Sequence, residues 1–169
     1  MTNKTTTDNS GYARAATLGF VAGLRSMTPF ALLSAASQRQ GSPAGFAAMQ
    51  PAPLGLLRSR GTLVVTGLAA IGELVGDKLP MVPNRTQPGP LGARLVVGGL
   101  ASAAVGADAR LNPIVCGVLG AAAAAASSYA GASYRKAADA TGVPDVVWAL
   151  LEDATAIGLG YAALKQYFG

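Results

Sequence analysis

Apolar residues along this 169-residue chain fall into five long runs, separated by stretches rich in proline, glycine and charge. The runs cover residues 13–36, 61–79, 91–107, 114–134 and 145–167. Each is longer than an ordinary strand, so the pattern predicts helices. No charge interrupts residues 111–134, a length that crosses a hydrocarbon core of about 30 Å. The predicted fold is therefore all-α: a polytopic transmembrane helical bundle of about five membrane segments, some broken or short. Residues 1–12 are polar and expected to be disordered, and 13–169 form one membrane-embedded domain.

Proline marks where the runs break. Pro29 cannot donate to the carbonyl of Arg25, so the first run is expected to kink or break at Arg25-Ser26-Met27-Thr28-Pro29. Arg25 also interrupts the apolar core that a cleaved signal peptide would need. Residues 37–60 hold Gly41, Pro43, Pro51 and Pro53 and read as a loop. Pro80, Pro83, Pro88 and Pro90 make a stiff connection after the second run. Pairs of small residues one turn apart let helices approach closely: Gly19 with Gly23, Gly72 with Gly76, Gly98 with Ser102 and Gly106, and Ala154 with Gly158 and Ala162.

Composition agrees with a membrane location. Charged residues are only 12% of the chain, about half the share usual in soluble domains. The 13 basic residues lie mostly between apolar runs, with no basic helix or aromatic-interleaved patch for nucleic acid. Their distribution favours a bacterial cytoplasmic membrane with the amino terminus inside. Histidine is absent, which removes the commonest general base and transition-metal ligand. The single cysteine, Cys116, sits in an apolar run and reads as a small buried hydrophobe.

Charge inside apolar runs is the candidate chemistry. Glu73 and Asp77 lie four apart on one helix face, and Glu152 and Asp153 lie at the middle of the fifth run. Together they are four of the chain's eight Asp and Glu residues. Arg25 is their internal counter-charge, with Lys78, Pro29, Arg85 and Arg135 in support. Ionisable groups at membrane depth are costly and face one another or a water-filled cavity. One reading makes them a site for a proton or hard cation, which suits carboxylates without histidine or thiolate. The other makes them structural ion pairs, Arg25 with Glu73 or Glu152 and Lys78 with Asp77 or Asp153. Arg25, Arg85 and Arg135 could also hold a lipid phosphate. No nucleophile–base arrangement, phosphate loop or metal-hydrolase motif is found, so no enzymatic activity is expected, and no cofactor.

Three motifs resemble a known family: Gly23-Leu24-Arg25-Ser26-Met27-Thr28-Pro29, Gly72-Glu73-Leu74-Val75-Gly76-Asp77-Lys78-Leu79-Pro80 and Leu151-Glu152-Asp153-Ala154. They are similar to the bacterial membrane-protein family catalogued as domain-of-unknown-function family 4126. The resemblance covers roughly residues 15–165 and implies a small polytopic helical protein of the bacterial inner membrane. It brings no established activity. The residues favour a transporter- or channel-like protein with an intramembrane carboxylate site, working as a homodimer because so few helices enclose little. The alternative is a structural or scaffold protein whose buried charges only pair.

Overall fold

The computed structural model of the protein describes residues 4–39, 59–76 and 86–168. Six α-helices and a closing 3-10 turn account for them, with no strand among the described residues. In chain order the helices are α1 (Lys4–Leu24), α2 (Thr28–Arg39), α3 (Arg60–Gly76), α4 (Pro88–Asp108), α5 (Pro113–Asp139) and α6 (Asp145–Leu164). The five apolar runs of the sequence correspond to these helices, the first run being split into α1 and α2. α1 also takes in the polar stretch from Lys4. α4, α5 and α6 are each long and apolar enough to span a membrane. The described part of α3 is apolar but only 17 residues long.

Local chemistry sets the helix ends. The Ser59 hydroxyl accepts from the Thr62 amide at 2.9 Å and caps α3. Asn112 does the same for α5 through the Ile114 and Val115 amides, and Pro113 takes the first helical position. α4 closes with Arg110 N–H donating to Ala107 O and Leu111 N–H to Gly106 O. That closure puts Arg110 at φ 57°, in the left-handed region where glycine is usual.

α1, α4 and α5 pack most closely, and α6 lies against α1 and α2. Small residues make this possible. Backbone and side chains of α5 at Gly120, Ala124 and Ser127 sit where any β-carbon on Gly19 or Gly23 would have to go. Cys116 is fully buried. Ser102 donates to Ala15 O at 2.6 Å, tying α4 to α1 without an exposed polar group.

Two small-residue stripes do not pack as expected. Gly72 has open space where its side chain would be, and so has Gly158, with Ala154 and Ala162 exposed beside it. The buried stripe of α6 is instead Ala149, Ala156, Gly160 and Ala163. Alanine-rich helices carry small residues on several faces, so spacing alone does not select the packed one. α3 lies at the edge, packed on α2, with Val64, Val65, Leu68, Ile71 and Val75 exposed.

Candidate functional site

The structure is organised around the three residues between α1 and α2. Continuing α1 through them would place the Pro29 ring against the carbonyl of Arg25. Stopping at Leu24 and restarting at Thr28 puts Pro29 in a first turn, where no N–H is needed. The break leaves α1 with unpaired carbonyls and α2 with unpaired amides, in the middle of a bundle with little water.

Ionised side chains from other helices fill those places. Arg94 of α4 donates from one guanidinium nitrogen to Gly23 O at 2.7 Å and to Leu24 O at 3.0 Å. Ser128 of α5 also donates to Gly23 O. At the other side of the break, the Glu73 carboxylate accepts from the Ser26 amide, the Ser26 hydroxyl and the Met27 amide at 2.8, 2.8 and 2.9 Å. A cation thus sits at a helix carboxyl end and an anion at a helix amino end, as both dipoles favour. Arg94 and Glu73 then meet at 3.4 Å and close the gap between the two ends.

Arg25, inside the break, points the other way. Its Nε donates to Asp153 of α6 at 2.6 Å, and a second guanidinium nitrogen contacts the same oxygen. Arg25 is 1% exposed, Arg94 6% and Asp153 7%. Two guanidinium groups and two carboxylates therefore meet at one broken helix, with their charges balanced. A third pair stands apart: Arg135 of α5 donates to Glu152 at 3.3 Å and lies 3.6 Å from Asp145.

Of the residues singled out in the sequence, Arg25, Pro29, Glu73 and Asp153 come together at the break. Glu152 and Arg135 pair elsewhere. Asp77, Lys78 and Arg85 lie outside the described residues. The expected pairing of Arg25 with Glu73 or Glu152 gives way to Arg25 with Asp153. Neighbours on a helix point about 100° apart, and Glu152 and Asp153 turn toward Arg135 and Arg25 respectively. The described acids do not form one cluster either. No group of three acidic or thiol side chains able to hold a metal ion occurs among the described residues. Glu73, Glu152 and Asp153 each meet N–H or guanidinium donors instead.

Arg94, Ser26 and Ser128 belong to this site and were not marked by the pattern that marks Arg25. Arg94 had a signal: it is a charge four residues inside the third apolar run. The family model for a domain of unknown function, DUF4126, matches residues 13–166, and the chain belongs to that family. No curated protein and no solved structure matches it.

Proposed function

We propose that this member of the DUF4126 family is a small transporter- or channel-like protein of a bacterial cytoplasmic membrane, with the α1–α2 break as its polar centre. The observation that carries the proposal is Glu73 seated on the open end of α2 beside Arg94. Broken helices at mid-membrane are where transporters place their substrate sites, because free helix ends there can bind an ion. Here a side chain of the peripheral helix α3 occupies that end, as a plug would. Adding a proton to Glu73 removes its charge and weakens its hold on both Arg94 and the α2 amides. The oxygens of Glu73, Glu152 and Asp153 are spent on amide and guanidinium donors and do not converge as a hard cation's ligands would, so the proposal takes a proton as the partner.

The test is proton movement in vesicles. Purified protein is reconstituted into liposomes loaded with a pH-sensitive dye, and an inward pH gradient is applied under a clamped membrane potential. Wild type is expected to dissipate the gradient faster than protein-free vesicles, and Glu73→Gln to lose the pH dependence of that rate. Vesicles with wild type that behave like protein-free ones would count against the proposal.

A second reading has its own observation. Arg25, Arg94 and Arg135 each match one buried or half-buried acid, which is what a purely structural network requires. Under it the break is a fixed bend and Glu73 a permanent cap. A homodimer and an inside amino terminus belong to the proposal as well, and cross-linking and protease protection test them.

A further inference from the structure

A cleft opens on a different face, between α5 and α6, with α1 as its floor. α5 packs mainly on α4 and α1, and α6 mainly on α1 and α2, so the seam between α5 and α6 is thin. The cleft holds about 300 Å³, at the lower end of the range for small-molecule sites. Its wall includes Phe20, Leu24, Tyr134, Leu151, Glu152 and Thr155. Glu152 is the one charged residue lining it among the described residues, and its partner Arg135 is not part of the wall.

We propose that this cleft binds an amphiphilic organic cation: a positively charged nitrogen or phosphorus centre with a bulky apolar body. The charge in the wall is negative, and Glu152 shares the single Arg135 guanidinium with Asp145, so the group favours a cation over an anion. The apolar walls and two aromatic rings suit the body, and a ring face attracts a cation. Leu151, which lines the cleft, is itself half exposed on α6, a helix apolar enough to span a membrane, so a ligand dissolved in the bilayer reaches the cleft sideways.

Arg135 supplies the exchange. It is held by Glu152 inside the seam and by Asp145 at the exposed start of α6. A cation that takes Glu152 leaves the guanidinium its second carboxylate, Asp145. The proposal does not rest on proton movement at the α1–α2 break.

Trp148 reports on it. It is the only tryptophan in the chain and meets Tyr134 edge to face at 5.3 Å between centroids. Detergent-purified protein is titrated with tetraphenylphosphonium while Trp148 fluorescence is followed. Tetraphenylborate, of the same shape and opposite charge, is the control probe. Tetraphenylphosphonium is expected to give a saturable change and tetraphenylborate none. Glu152→Gln should weaken the response about tenfold or more, since a desolvated charge partner is lost. Ala130→Phe, which fills the cleft and leaves Glu152 in place, should abolish it and so covers the case in which the first variant fails to fold. Equal responses to both probes, or an unchanged response in Ala130→Phe, would overturn the proposal.

Discussion

Arg25 and Asp153 show most directly what a buried charge does in this protein. Each is over nine-tenths buried, and each would be strongly disfavoured alone in an apolar bundle. Removing one partner takes away the other's closest counter-charge, so Asp153→Asn should cost about 3–5 kcal/mol of stability. Replacing both, as Arg25→Met with Asp153→Leu, should recover most of that loss. Denaturant unfolding in detergent measures both, and a double variant no better than the single would contradict a pair of this kind. Gly23 makes the opposite point, because there the absence of a side chain matters. A methyl group on it meets the Ala124 carbonyl and the Ser127 hydroxyl. Gly23→Ala should therefore destabilise by about 1–3 kcal/mol by forcing α1 off α5. The same substitution at Gly72, which faces open space, should be nearly neutral in the same assay.

Helices divide here into those interlocked at the centre and one packed at the edge. α1, α4 and α5 interlock through small residues, whereas α3 leans on α2 and reaches the centre with Glu73. Helix ends show similar contrasts. Arg110 closes α4 in a left-handed conformation that costs a residue with a β-carbon about 1 kcal/mol. Arg110→Gly should accordingly raise the melting temperature by a few degrees, read by calorimetry or a thermal-shift assay. Much of this level was legible in the sequence. Apolar runs gave the helices, and Pro29 marked the break, because a missing N–H has one consequence wherever it falls. Which arginine meets which acid was not legible. That depends on the rotation of α6, and Glu152 and Asp153 are adjacent in sequence while facing different neighbours. Nor does sequence place α3 at the edge, since its apolar residues suit lipid and protein contact alike.

Taken whole, the molecule is a compact three-helix unit with α6 and α2 against it and α3 outermost. Among the described residues three helices are long and apolar enough to span a membrane, and the polar centre lies where α3, α4 and α6 meet the broken first segment. In the proposed function Glu73 keeps that break closed, and loss of its charge opens it. The direct measurement uses Thr28, which is 5% exposed and begins α2, together with native Cys116, which is fully buried in the packed unit. Thr28→Cys is reacted with a membrane-impermeant maleimide in vesicles at one neutral pH, with and without Glu73→Gln. Mass spectrometry reads the two cysteines separately. Opening predicts that Glu73→Gln labels position 28 about tenfold faster, as a minor open state becomes well populated, while Cys116 stays unlabelled. Equal rates at position 28, or labelling of both cysteines together, would mean that Glu73 is only a structural cap.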